Sequence, residues 1–297
     1  MRKIERIQRL YYKCCNFYKQ HFLYHRLVSD SEIKALLDRN LRFKNIHKGH
    51  RCFILGNGPS LNDEDLSCLE KEYVFTVNQI ARHKDFKKVN SNYHFWADPV
   101  FFKVDNNKPG DMEMLESMRM VNMDGNVPQC FFPIEQVGFI KQYNLDNDIS
   151  ANYFATGLQT YEGFDETIDY TKFVPEFGTV VMWCITMAVY MGFSEIYLLG
   201  CDTTGIITTI NSALNNIDNS TYAYQVTENE KSRLKDILNK VPLTICIEAQ
   251  LNTLLQYDRL YKYCKNRGIK LVNCSSKTII ESVPRMRLND VLEEGKL

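Results

Sequence analysis

The turn Gly56-Asn57-Gly58-Pro59-Ser60 follows directly on the apolar run Cys52-Phe53-Ile54-Leu55. Two glycines allow close approach of a ligand to the backbone and positive φ. Pro59 stiffens the turn, and Ser60 is placed to cap a helix beginning near Asn62, whose free N–H groups would favour a phosphate. There is no lysine at the Gly-x4-Gly-Lys-Ser/Thr position and no third glycine of Gly-x-Gly-x-x-Gly, so the turn is neither a P-loop nor a dinucleotide fingerprint. A nucleotide with one or two phosphates suits it better than a triphosphate.

Asn78, Asp98 and Asp202 each stand one or two residues past another apolar run, as Asn57 does. Gln79 and Gly200 flank two of them. Ligands of open parallel sheets bind beyond the carboxyl ends of the strands, so these residues form a polar rim there. Such residues also cap the helices that follow strands. His94 lies within an apolar run, where packing is the commoner role. Asp63-x-Asp65 resembles a metal-binding pair, but acids suit the first turn of a helix, and no metal is assigned to it.

The elements that must position these residues are legible as short apolar runs at 52–55, 73–77, 93–96, around 131–132, 196–199 and 269–272, with helices over 179–191 and 251–266. Continuous apolar strands alternating with helices imply an α/β fold: a Rossmann-like, mostly parallel sheet with helices on both faces. The polar, asparagine-rich stretch from about 203 to 247 reads as a lid-like insertion. Residues 1–48 read as an N-terminal helical arm, with Asp30-Ser31 capping a second helical piece, and residues 49–290 as the catalytic domain.

The chain has 297 residues, with 36 Lys plus Arg balanced by 36 Asp plus Glu, which suggests no nucleic-acid partner. Charge is uneven, however. Residues 1–26 hold Arg2, Lys3, Arg6, Arg9, Lys13, Lys19 and Arg26 against Glu5 alone, interleaved with aromatics. That pattern fits an arm packed on the domain or on a second copy of the chain, and equally a helix lying on an anionic membrane surface. The ten cysteines include no Cys-x-x-Cys pair, and Cys52, Cys184, Cys201 and Cys246 sit in apolar runs. Neither a zinc site nor a disulfide framework follows, and a cytoplasmic location is expected, with peripheral attachment to the inner face of the cell membrane as the alternative. No signal peptide is visible.

In order along the chain, Gly56–Leu61, Thr76-Val77-Asn78-Gln79, Asp98–Phe102, Gly178-Thr179, Met191–Asp202 and Gly268–Asn273 resemble a bacterial and archaeal superfamily. It contains the family 42 sialyltransferases, the motility accessory factors that glycosylate flagellin, and the 6-hydroxymethylpterin pyrophosphokinase-like proteins. The resemblance covers roughly residues 50–290. Its sialyltransferase branch implies a CMP-sugar donor as substrate, no cofactor and no metal. Asn57 and Asn78 would then hold the donor phosphate and ribose, with Asp98 beside the sugar. Thr179 would lie near the donor carboxylate, and Tyr222, in Ser220-Thr221-Tyr222-Ala223-Tyr224, would bind the departing phosphate. That family uses a histidine base before the last helix; this sequence has none between Tyr222 and Leu251, and Glu248 occupies about that place.

The resemblance thus implies a glycosyltransferase of bacterial surface glycan synthesis, acting on a glycan or glycolipid acceptor by direct displacement. The base would be Glu248 or Asp98, and Tyr222 with the Gly56–Ser60 amides would stabilise the leaving phosphate. The alternatives are a pterin-type pyrophosphokinase needing ATP and magnesium, and a nucleotide-sugar-binding subunit without catalysis.

Overall fold

The computed structural model describes residues 2–122, 127–213, 222–238 and 241–294. Part of the expected lid, including Ser220 and Thr221, lies outside the described residues.

The apolar runs form eight strands: β1 (Arg51–Leu55), β2 (Tyr73–Val77), β3 (Ser91–Phe95), β4 (Gln129–Pro133), β5 (Ser150–Leu158), β6 (Phe173–Pro175), β7 (Glu195–Leu199) and β8 (Lys270–Asn273). They build one sheet in the order β6-β5-β4-β3-β2-β1-β7-β8. Every pairing is parallel, so the sheet is parallel throughout. Side chains alternate between faces along each strand. Cys52, Ile54, Phe75, Phe95 and Phe131 enter one core, and Phe53, Leu55, Val74, Cys130 and Phe132 the other.

The helices follow from local signals. α1 (Arg2–Tyr18) continues through a π-helical turn at Lys19–Leu23 into α2 (Tyr24–Leu27). α3 (Ser31–Asp38) is capped as expected: the Asp30 side chain accepts from Glu32 N at 2.8 Å and Ile33 N at 3.3 Å. α4 (Pro109–Arg119) starts at a proline, whose missing N–H costs nothing there. The short α5 (Val137–Gln142) follows. α6 (Val180–Met191) is apolar on all sides and buried, and Gly192 ends it at φ 88°. α7 (Gly205–Ala213) and α8 (Glu228–Leu238) fall in the stretch expected to form a lid, and α9 (Leu243–Asn266) and α10 (Leu288–Glu294) follow it.

Two expectations change. α9 begins at Leu243, so the lid ends earlier than residue 247. Residues 31–48 are part of the domain rather than a separate arm. Leu37 and Phe43 are buried in its cores, and the Asn40 side-chain amide donates to the carbonyls of Tyr153 at 2.6 Å and Tyr170 at 2.9 Å. Cys246 is only half-buried; Cys52, Cys184 and Cys201 are buried as expected, and all the cysteines are free. No helix of the described residues is long and apolar enough to cross a membrane.

Candidate functional site

The chain lays down β1 to β6 outward in one direction, then returns to place β7 on the other side of β1. This reversal makes the β1/β7 carboxyl ends the switch point of the sheet, where ligands of such folds bind. The turn Gly56–Ser60 and the segment Gly200–Asp202 meet there.

Their meeting corrects the expected use of the glycines. Gly56 N donates to Leu199 O at 2.7 Å and Gly58 N to Gly200 O at 2.8 Å. A Cβ on Gly56 would collide with the Gly200 carbonyl, and one on Gly58 would lie 2.6 Å from it. Neither glycine has positive φ; Gly200 does, at 59°. These glycines let two loop backbones pack together. Ser60 does not cap an α-helix either, since Pro59–Asp63 is a 3-10 turn. Its N–H donates to Asp202 Oδ2 at 2.8 Å, and its hydroxyl donates to Asp202 Oδ1. Asp202 is buried, with its carboxyl raised above the ordinary range by desolvation and the two Ser60 bonds opposing the shift. The amides of Gly56, Gly58 and Ser60 are therefore occupied, and a buried carboxylate stands beside them.

What remains open at the rim is Asn57 and Asn78. Asn57 Nδ2 donates to Val77 O at 3.3 Å, which leaves Oδ1 as its free end. Asn78 adopts φ 49°, a left-handed conformation that asparagine tolerates and that clusters at functional sites. Eight buried side-chain atoms have no hydrogen-bond partner among the described residues. Of these, Asn57 Oδ1, Asn78 Oδ1 and Trp96 Nε1 stand just past the ends of β1, β2 and β3, and Glu230 Oε2 comes from α8. The others, Asn40 Oδ1, His83 Nε2, His94 Nε2 and the Tyr190 hydroxyl, belong to other surroundings. Buried polar atoms are ordinarily satisfied, so orphans collected near one sheet edge mark a place that a ligand completes.

The lid segment docks on this rim. Ala223 N donates to Asn57 O at 2.9 Å, and Tyr222 stacks on Tyr224 with ring centroids 5.3 Å apart. Desolvation raises the Tyr222 hydroxyl, as do the charges of Glu230 and Asp98, while Arg233 opposes them. Asp98 accepts from Val100 N at 3.0 Å and so caps the turn Pro99–Phe102. One side of Asp98 is open to solvent, yet desolvation raises its carboxyl, against the Val100 N–H and the Arg233 charge.

Residues absent from the sequence reading hold the lid down. Gln79, expected at the ligand, is fully buried, and its Nε2 donates to Glu230 Oε1 at 3.2 Å. Arg82 donates to Gln79 Oε1 at 2.6 Å and lies over the Tyr224 ring at 5.1 Å. Arg233 donates to Asp111 Oδ1 at 2.7 Å, Glu230 Oε1 at 3.4 Å and Val100 O at 2.6 Å. A sequence signal for part of this existed: Glu230 and Arg233 are spaced i, i+3 on one helix. Arg82, Lys84, Asn62 and Tyr222–Val226 line a cleft of about 850 Å³ with no carboxylate in its wall.

The remaining candidates lie elsewhere or play other parts. Thr179 precedes α6, whose N-terminus carries no side-chain cap. Neighbouring Gly178 N donates to Gln256 Oε1 at 2.8 Å. Glu248 is inside α9 and exposed. His94 is fully buried against Thr76, and burial pushes its pKa down to about 3. Asp65 starts a helical turn as expected, a 3-10 one that it caps by accepting from Ser67 N, whereas Asp63 ends the turn Pro59–Asp63 and pairs with Lys277 at 3.0 Å. Among the described residues, no group of three His, Cys, Asp or Glu side chains could hold a metal ion.

The 6-hydroxymethylpterin diphosphokinase MptE-like family matches residues 31–206, more than half of the sequence, and the chain belongs to that family. No curated protein is significantly similar in sequence. Among solved structures, the chain is similar to the sialyltransferase CstII from Campylobacter jejuni, in complex with the substrate analogue cytidine-5'-monophosphate. That match has 17% identity over 82% of this chain and 86% of that one, with a TM-score of 0.46. It is also similar to the MAf glycosyltransferase from Magnetospirillum magneticum AMB-1, at 15% identity over 86% of this chain and 38% of that one, with a TM-score of 0.45.

Proposed function

We propose that this chain is a glycosyltransferase that uses a CMP-activated acidic sugar, or a related nucleotide sugar, bound at the carboxyl edge of the sheet. The observation that carries the reading is the docking of Tyr222–Tyr224 over a turn whose Asn57 side chain keeps a free acceptor. A tyrosine closing over a rim of unsatisfied amides suits a ligand with hydroxyls on one side and a leaving phosphate on the other.

In this reading an acceptor hydroxyl of a glycan or glycolipid attacks the anomeric carbon. The bond from that carbon to the phosphate oxygen of the nucleotide breaks, and the proton passes to a carboxylate. Asp98 serves as base better than Glu248, because its surroundings raise its carboxyl toward the range a base needs. The Tyr222 hydroxyl donates to the departing phosphate, in place of the turn amides, which are engaged. Asn57 and Asn78 orient the donor, while Gly56, Gly58, Pro59, Ser60, Gln79, Gly200 and Asp202 hold the frame. No metal takes part.

A second reading follows from the family description, which names a pterin diphosphokinase. It requires transfer of a diphosphate from ATP to a hydroxymethylpterin. Incubation with a CMP-sugar panel, read by CMP release, runs beside incubation with ATP, magnesium and 6-hydroxymethyl-dihydropterin, read by AMP release. CMP release supports the first reading; AMP release dependent on the pterin replaces it.

A further inference from the structure

Two buried carboxylates share one buried guanidinium. The side chains of Arg233, Asp111 and Glu230 are 5%, 9% and 2% exposed, so the trio carries one negative charge too many where uncompensated ions are costly. The surplus can be located. Asp111 is satisfied on both oxygens, Oδ1 by Arg233 Nε at 2.7 Å and Oδ2 by Asp105 N at 2.9 Å. Glu230 Oε1 takes Gln79 Nε2 at 3.2 Å and Arg233 Nη1 at 3.4 Å. Glu230 Oε2 has no partner among the described residues.

Glu230 is tied to the rim through Gln79, and its charge is felt by the Tyr222 hydroxyl that closes over it. Gln79, which holds the other Glu230 oxygen, directly follows Asn78, whose Oδ1 is likewise buried and unmet. Asn57 also offers an acceptor, because its Nδ2 is spent on Val77 O. Trp96 Nε1 is a donor, but the three acceptors, one of them a carboxylate, repel phosphate where they stand and demand donors. We infer that Glu230 reads the ligand: Oε2 accepts a hydrogen bond from a hydroxyl or amino group of the bound nucleoside or sugar. Phosphate lies away from it, on the side where Arg82 and Lys84 line the cleft. The ligand's identity rests on the nucleotide-sugar reading, but the role of Glu230 does not.

A carboxylate kept for a ligand is a liability to the empty protein, whereas one kept for structure is an asset. Thermal melting of Glu230→Gln and Asp111→Asn is therefore compared with the wild type in the absence of ligand, and calorimetric CMP binding is measured for all three. Glu230→Gln is expected to melt at or above the wild-type temperature and to bind CMP at least tenfold more weakly. Asp111→Asn is expected to melt lower. If Glu230→Gln melts as low as Asp111→Asn, fails to fold, or binds CMP as the wild type does, Glu230 is a structural ion and the inference is overturned. If the wild type itself ignores CMP, the CMP reading fails. The melting comparison still decides the role of Glu230, and AMP, GMP and UMP then replace CMP in the binding arm.

Discussion

Arg233 Nε donates to Asp111 Oδ1 at 2.7 Å, and this bond fastens α8 of the lid to α4 of the domain. The two helices approach so closely that a Cβ on Gly110 would lie 2.6 Å from the Asn229 carbonyl. Removing one member of a buried ion pair leaves the other uncompensated, at about 3–5 kcal/mol. Arg233→Ala is expected to lower unfolding free energy by that order in urea titrations. A change under 1 kcal/mol would show that the lid is not anchored here.

Asn57→Ala tests the rim without disturbing the core. The side chain makes one long bond, at 3.3 Å, and its Oδ1 meets nothing in the empty protein. Loss of a hydrogen bond that Oδ1 accepts from a neutral ligand hydroxyl or amino group weakens binding by roughly 0.5–1.5 kcal/mol. Nucleotide affinity measured by calorimetry should fall accordingly while the melting temperature holds. Unchanged affinity removes the turn from the donor site.

His94 gives a pH dependence of defined sign. Buried, its pKa falls from 6.5 to about 3, so between those values the unfolded chain binds a proton that the folded chain refuses. Stability is then full above pH 6.5 and declines as pH falls toward 3, by up to about 1.4 kcal/mol per pH unit from this group. His94→Gln should flatten that part of the acid limb in urea titrations from pH 7 to 4. An equally steep limb in the variant would assign the loss to other groups.

The strands that position the site are legible because β1, β2 and β7 are nearly continuous apolar runs, β8 holds Leu271-Val272, and β3 runs into the bulky stretch Tyr93-His94-Phe95-Trp96. β5 is not, since Asn152, Thr156 and Gly157 interrupt it. Asn152 is nevertheless buried, because Arg42 Nη2 donates to its Oδ1 at 2.6 Å. Gly157 is needed because the Phe173 ring of β6 would lie 3.0 Å from any Cβ there. The first turns of α9 are hidden for the opposite reason: Leu243, Ile245, Ile247 and Leu251 are exposed, so they show no inward stripe. At the site, Asn57, Asn78 and Asp98 are marked by their places after strands. Glu230 and Arg233 come from a polar lid whose periodicity is weak, and their pairing with Gln79 and Asp111 is a matter of tertiary structure.

Turnover with a CMP-sugar is expected to survive EDTA. The carboxylates nearest the turn are already committed, Asp202 to Ser60 and Asp63 to Lys277 and Ser276. Loss of CMP release in EDTA, restored by magnesium, would move the balance to the diphosphokinase reading.

The final prediction concerns α1 together with the π-helical turn Lys19–Leu23 that continues it, whose two faces have different tasks. Its inner face covers the sheet edge. Asn16 bonds both backbone groups of Gln159, at 3.0 and 2.8 Å, and Gln20 does the same for Phe173 at 3.0 and 3.3 Å. Covering an edge in this way blocks pairing with other chains. Arg9 and Lys13 pair with Asp165 and Lys19 with Glu176, so three of the basic residues expected to meet headgroups face the domain instead. The outer face exposes Ile7, Leu10, Tyr11, Phe17, Tyr18 and Phe22. Attachment to a membrane would therefore rest on apolar insertion more than on charge, and its salt dependence should be shallow. Phe17→Glu with Phe22→Glu is expected to leave melting and CMP binding unchanged and to abolish sedimentation with anionic vesicles. Deleting residues 1–48 should instead prevent folding, since Leu37, Phe43 and Asn40 leave with the arm. If the intact chain ignores vesicles but sediments as a dimer that the two substitutions dissociate, the outer face of α1 pairs with a second copy.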